Sequence, residues 1–182
     1  MQVAFEKFDV ANRKHLASFC QWDANQDLLH LRYPRFGPEP IHIRSKDEII
    51  ARYQGTEKEI SGMYMIACKD KYIGEVSVDI NHPQLYCKKH KSAWLGLAIC
   101  EPTYWGTGVA QQALTFIEQI AKDLGAKRME LGTFEFNHRA RRFYEKCGYQ
   151  HIATLAKITY WQGRYWNDIR YEKNFETDSV AQ

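Results

Sequence analysis

The chain has 182 residues, with 25 Lys and Arg against 22 Asp and Glu for a formal net charge of +3. At 45% hydrophobic and 14% aromatic residues, with only 11 Gly and 5 Pro, it can bury one core and is neither disordered nor fibrous in type. So small a charge excess does not announce a nucleic-acid or membrane partner. No apolar run reaches the about 18 residues of a bilayer span, and no leader pattern opens the chain, so a cytoplasmic protein is expected.

Residues 3–8 read as a first strand, followed by a helix from Asp9, a plausible N-cap, to about Trp22, with Leu16, Phe19 and Cys20 on one side. Between Asn25 and Arg44 periodicity fades and Pro34, Gly37, Pro38 and Pro40 intervene, which predicts an irregular segment with a short helix near Leu28 to Arg32. Ser45 to Glu48 has the form of a helix start, with Ile49, Ile50 and Tyr53 as the buried face. Period-2 patterning then takes over. Residues 63–68 and 72–78 predict a hairpin around Lys69-Asp70-Lys71, and 93–100 a third strand.

After the loop 101–106, Val109, Ala113, Leu114, Ile117, Ile120, Ala121 and Leu124 recur at helical spacing up to a stop at Gly125. Residues 127–134 predict a strand, and Ala140, Phe143, Tyr144 and Cys147 a short helix closed by Gly148. Residues 149–161 and 164–175 predict a long hairpin around Gln162-Gly163, with 176–182 as a tail. Hairpins followed by strand, helix, strand, helix and hairpin predict one α+β domain over residues 1–175 with a mixed, mostly antiparallel central sheet flanked by helices.

The chemically informative place is Trp105-Gly106-Thr107-Gly108-Val109-Ala110, between a buried strand and a strong helix. Consecutive amides there can face an anion at the positive end of the helix, and a phosphate is the natural guest. The turn is neither a dinucleotide fingerprint, since Gln111 fills the third glycine place, nor a P-loop, since no Gly-Lys-Ser/Thr follows. On spacing alone, two glycines that merely permit a tight turn explain it equally well.

The second block, Asn137-His138-Arg139-Ala140-Arg141-Arg142-Phe143-Tyr144-Glu145-Lys146-Cys147-Gly148-Tyr149, shifts that balance. Together the two blocks resemble the GNAT-type N-acetyltransferase superfamily, with its Q/R-x-x-G-x-G/A turn and its N-x-x-A-x-x-x-Y-x-x-x-G-[FY] pattern. The resemblance spans Ala93 to Tyr149. Trp105 departs from the usual Gln or Arg and looks like the branch that includes ribosomal-protein-alanine N-acetyltransferases. The resemblance implies a GNAT-like fold and acetyl-CoA as co-substrate, without metal. The backbone of Ala98, Ile99 and Cys100 would then pair with the pantetheine arm. The amides of Gly106, Thr107, Gly108, Val109, Ala110 and Gln111 would hold the pyrophosphate, and Asn137 would bond the arm. It also makes Tyr144 the candidate general acid for the departing thiolate, against the plain alternative of a core aromatic.

Many relatives carry a basic glutamate on the fifth strand; the corresponding residue here is Gly132. Glu75 and Glu101 are the leading substitutes, ahead of Glu130 and Asp79, and each has a plain reading as a surface charge. Stripping a proton at neutral pH costs about 3 kcal/mol more for lysine than for an α-amine, so a missing base favours a peptide N-terminus, amino acid or amino sugar as acceptor.

His138, Arg139, Arg141 and Arg142 form a basic patch beside this site, either attracting phosphates or simply solvated. Cys87-Lys88-Lys89-His90, with His82, lacks the spacing of a structural metal site, and five scattered cysteines without Cys-x-x-Cys suggest reduced thiols. Cys100 is an inert strand cysteine rather than a nucleophile. The aromatics Tyr160, Trp161, Tyr165, Trp166 and Tyr171 suit cross-strand packing, a substrate groove or a homodimer contact. Rival functions are transfer of a longer acyl group, a non-catalytic acetyl-CoA sensor, or a nucleic-acid module using stretches 86–92 and 138–142.

Overall fold

Seven strands form one sheet in the order β1-β2-β3-β4-β5-β7-β6. They are β1 (Ala4–Lys7), β2 (Ser61–Cys68), β3 (Lys71–Ile80), β4 (Ser92–Ile99), β5 (Arg128–Phe134), β6 (Gln150–Trp161) and β7 (Arg164–Asn174). All neighbours are antiparallel except β4 and β5. The helices are α1 (Arg13–Ala24), α2 (Gln26–Arg32), α3 (Lys46–Tyr53), α4 (Val109–Asp123) and α5 (His138–Lys146). The computed structural model describes residues 2–54, 61–88 and 91–175. The expected tail at 176–182, and Lys89 and His90 of the basic loop, lie outside the described residues.

Side-chain alternation gives each sheet face its own core. On one face Val76, Val78, Leu95, Met129 and Leu131 pack with Val109, Ala113, Leu114 and Ile117 of α4. On the other, Met65 and Cys100 pack with Leu16, Phe19 and Trp22 of α1, Leu28 of α2 and Ile49 of α3.

Three helix starts depart from, or sharpen, the expectation. The first cap is Asn12 rather than Asp9: its Oδ1 accepts the Lys14 and His15 amides at 3.0 and 3.4 Å. Asp9 instead donates its own N–H to the Nδ1 of buried His15 at 3.1 Å, which fixes where the helix begins. Asn25 caps α2 by accepting the Asp27 amide, so that helix starts before Leu28. Ser45 and Glu48 form the reciprocal capping box of α3.

β4 and β5 pair only at Ser92↔Arg128, Ala93↔Met129 and Trp94↔Glu130, and beyond this the two strands part. Glu130, fully buried at the root of the fork, accepts the amides of Tyr86 (2.5 Å) and Cys87 (3.2 Å) and Nη2 of Arg128 (2.8 Å). It thereby ties the β3–β4 loop to the sheet, which is a structural occupation for this carboxylate. Glu130→Ala leaves the two loop amides without their acceptor, while Arg128 keeps Glu172, so chemical denaturation should record a loss of about 2–4 kcal/mol.

Candidate active site

The β4 bank of the open fork forms one wall of a cavity of about 350 Å³, which α2, α5 and the turn before α4 complete. Ala98, Ile99, Cys100, Gly106, Gly108, Ala110, Gln111, Asn137 and Tyr144 all line it, so both sequence blocks meet at one place.

Gly106 and Gly108 have φ of +75° and +87°, the left-handed region where a side chain is strained, and a Cβ at either would point into open space. Gly108 is the N-cap of α4, and the first intrahelical bond runs from Gln112 N–H back to its carbonyl. The amides of Val109, Ala110 and Gln111 therefore end the helix without an intrahelical acceptor among the described residues, beside a cavity at the positive end of the dipole. Val109 offers only its amide, because its side chain lies in the core. Thr107 corrects the expectation: its hydroxyl and its N–H both donate to the Tyr104 carbonyl, at 2.7 and 3.4 Å, and so close the turn.

The strand edge is also narrower than expected. Cys100 N–H donates to Ile73 O at 2.8 Å, and the Ala98 carbonyl lies against Gly74, so these groups face β3 rather than the fork. By alternation, the edge that faces the fork belongs to Ile99 and Leu97. The Ile99 carbonyl already accepts the Trp105 indole N–H at 2.8 Å. That bond gives the departure at Trp105 a structural reason, and the same ring carries the Arg139 guanidinium 3.4 Å from its centroid. Arg139 lines the cavity, whereas Arg141 is engaged by Tyr171 and the Glu135 carbonyl.

Asn137 caps α5, its Oδ1 accepting the Ala140 amide at 3.2 Å, which leaves its amide group to donate toward the cavity it lines. Tyr144 is 7% exposed, and burial pushes its phenol well above the ordinary value, so the hydroxyl stays protonated across the neutral range. Burial likewise holds the Cys100 thiol protonated, against a nucleophilic role.

Both leading carboxylates are ion-paired. Glu75 Oε1 accepts Arg32 Nη2 at 2.8 Å, while its Oε2 is buried with no hydrogen-bond partner among the described residues. Glu101 pairs with Lys71 at 2.8 Å on the loop beyond β4. Arg32 belongs to a buried network that no sequence pattern marks. Asp23 accepts Arg44 at Nε and Nη2 (3.0 and 2.7 Å) and the Tyr33 hydroxyl (2.9 Å), and Arg32 Nη1 lies 3.4 Å from it. The network binds the irregular segment after α2 to α1 and, through Arg32 and Glu75, to the sheet beside the cavity.

Among the described residues no three His, Cys, Asp or Glu side chains group as metal ligands, and no helix is long and apolar enough to cross a membrane. A sequence model of the Acetyltransferase (GNAT) family matches residues 22–149. The uncharacterized N-acetyltransferase YycN of Bacillus subtilis is 40% identical over 47 residues, covering 26% of this chain and 30% of that protein. The chain thus aligns with about a third of the length of the curated relatives it matches. Among solved structures, the spermidine N-acetyltransferase of Vibrio cholerae with CoA and spermine superposes with a TM-score of 0.76 at 20% identity, covering 95% of each chain. The ribosomal L7/L12 α-N-protein acetyltransferase RimL with CoA superposes at 0.73 and 16% identity, covering 96% of this chain and 94% of that one.

Trp105→Phe keeps a ring beneath Arg139 but removes the donor to Ile99. A loss of about 1 kcal/mol in thermal or urea denaturation is expected, and an unchanged midpoint would refute the structural role given to the indole.

Proposed function

This chain belongs to the GNAT family of acetyltransferases, and from that premise we propose that it moves the acetyl group of acetyl-CoA directly to a primary amine. The observation that carries the reading is the convergence on one cavity of an open strand edge, the free amides of an α4 N-terminus, Asn137 and a buried, protonated Tyr144. The amides of Gly106 and of Val109 to Gln111 suit the diphosphate of the co-substrate, with Arg139 and its neighbours adding positive potential at the rim. The Ile99 and Leu97 edge suits the amide-bearing arm, which can add to β4 as a further strand would. A strand amide at the fork, oriented before reaction, stabilises the oxygen of the thioester carbonyl as it becomes tetrahedral. Glu75 holds Arg32, and with it α2, over the fork; Glu101 stands at its rim.

Tyr144 supplies the proton to the sulfur when the C–S bond breaks. The proton lost by the nitrogen as the amide forms restores the phenol through solvent, so the tyrosine is unchanged over the cycle.

The acceptor is a primary amine. Polyamines and protein α-amines, the acceptors named for the two structural neighbours, are the first arms of an acceptor panel, with lysine peptides, amino acids and aminoglycosides beside them. A relation to the ribosomal-protein N-acetyltransferase branch, suggested by Trp105 and by RimL, predicts that an alanine-initiated peptide is acetylated.

Calorimetry should detect acetyl-CoA binding to the purified chain, and free-thiol release should follow addition of an acceptor. Tyr144→Phe should lower kcat by about 100-fold or more while the acetyl-CoA Kd stays within a factor of two to three. Binding without turnover on any amine would support a sensor, and steeply salt-dependent RNA or DNA binding with no uptake of a CoA thioester would defeat the proposal.

A further inference from the structure

β5 lacks a carboxylate at Gly132, yet the space that a side chain there would fill is taken. A Cβ built on Gly132 would lie 2.8 Å from Oδ1 and 2.9 Å from Oδ2 of Asp168, on the neighbouring strand β7. The carboxyl leans diagonally across the ladder, since Asp168 pairs with Phe134 and Gly132 pairs with Arg170.

Register fixes where this carboxyl stands relative to the fork, beside the β4 bank that lines the cavity. Directly paired residues share a sheet face, as do alternate residues along a strand. Trp94↔Glu130 is the last pair before the fork; two-residue steps lead from Trp94 to Gly96 and Ala98, and from Glu130 to Gly132 and Phe134. Ala98 pairs with Glu75 on β3, and Phe134 with Asp168 on β7. Glu75, Ala98, Phe134 and Asp168 therefore form one rung on one face, with the fork opening between Ala98 and Phe134. Each bank of the fork carries a carboxylate with one buried oxygen that lacks a hydrogen-bond partner among the described residues, Glu75 Oε2 and Asp168 Oδ1. Glu75 is committed to Arg32 through its other oxygen.

We propose that Asp168, reaching across from β7 into the space left by Gly132, is the general base that takes the proton of the acceptor ammonium at the fork. This rests on the acetyl-transfer reading above. The N–H bond of the ammonium breaks and its proton passes to Asp168; the freed nitrogen lone pair forms the C–N bond to the thioester carbon. The C–S pair leaves with sulfur and is protonated by Tyr144. Asp168 releases its proton to solvent after product leaves. An enclosed acceptor oxygen without a donor costs stability in the ligand-free chain, and an ammonium at the fork supplies the missing donor.

The protonation behaviour of Asp168 agrees with the geometry. Burial raises its pKa to about 6, over the lowering by Arg170 and by the Thr133 amide. The charged groups that face it are Arg170 on its own strand, with Nε 3.0 Å from Oδ2, and Glu130 on β5; β6 opposes it with Leu155. A carboxylate so placed also removes the ground for preferring an α-amine to a lysine, because that preference followed from an absent base.

The test uses the purified full chain with the best acceptor of the amine panel. Wild-type kcat should rise with pH through an ionisation near 6 and then level. Asp168→Asn should bind acetyl-CoA unchanged and lose about 100-fold in kcat at neutral pH. The deficit should shrink as pH climbs toward the acceptor's own pKa, where the amine arrives unprotonated; a merely structural loss would not shrink in this way. Asp168→Ala makes room at position 132, so Asp168→Ala with Gly132→Glu should regain at least about tenfold over Asp168→Ala alone. Asp168→Asn turnover within threefold of wild type, with the same pH profile, overturns the assignment while leaving acetyl transfer standing. Should both variants fail to fold, the wild-type profile decides, and its independence of pH from about 5 to 7.5 overturns the assignment. A wild-type chain that acetylates no amine overturns both readings.

Discussion

The constraint on which the rest depends is the early end of the β4–β5 ladder. Only three residue pairs join these strands, and past Trp94↔Glu130 each has a row of main-chain donors and acceptors with no sheet partner. An unpaired buried group costs about 1–3 kcal/mol, so a parted pair in the middle of a sheet persists only where something else meets those groups. On the β4 side Trp105 meets one of them, through the Ile99 carbonyl. The remaining edge belongs to the cavity, and a strand-like ligand arm is the chemistry that completes it. Parting the strands also makes room for α4 to point its N-terminus at the same space, because the loop from Cys100 turns back through two left-handed glycines rather than running on beside β5.

Holding a fork open requires that both its ends be fixed, and the chain does this with buried charge. At the root, Arg128, Glu130 and Glu172 satisfy one another, and Arg170 adds a bond to the Gln84 carbonyl, so the β3–β4 loop cannot lift away. At the mouth, Asp23 gathers Arg44, Arg32 and Tyr33 and passes the constraint to Glu75 on the sheet. Apolar packing could stabilise as much, but it fixes direction poorly; charge-assisted bonds specify which side chain faces which. The result is that α2 and an irregular segment with little periodicity take one position over the fork.

Features set by neighbours along the chain were legible in the sequence, and features set by neighbours across the sheet were not. The Gly106 to Ala110 turn, the apolar stripe of α4 and the Asn137 to Tyr149 block are local, and the resemblance they carried led to the correct family and fold. The Ser45 cap was readable for the same reason. The start of α1 was misassigned because Asp9 and Asn12 are both competent caps, and the choice is made by a buried His15 that receives the Asp9 amide. The Asp23 network spans three segments with no shared period. Asp168 is the sharpest case: Gly132 looks like a loss along β5, and only the register with β7 reveals that the same volume holds a carboxyl group.

The two banks of the fork carry like groups with unlike commitments, and this difference assigns their roles. Glu75 lies within 2.8 Å of a buried guanidinium, so taking up a proton would cost it a charge-assisted bond and release the arginine that holds α2. Asp168 also has an arginine at 3.0 Å, but Arg170 is held independently by the Gln84 carbonyl and by the Trp94 ring, 4.7 Å from its guanidinium carbon. Protonating Asp168 therefore leaves its arginine anchored through Nη1 and over the Trp94 ring, and the sheet intact. A proton can come and go on the β7 bank without moving the framework, whereas on the β3 bank the same event would loosen the cover of the site. One carboxylate suits anchoring and the other suits exchange, a division of labour that follows from what each partner loses when the charge disappears.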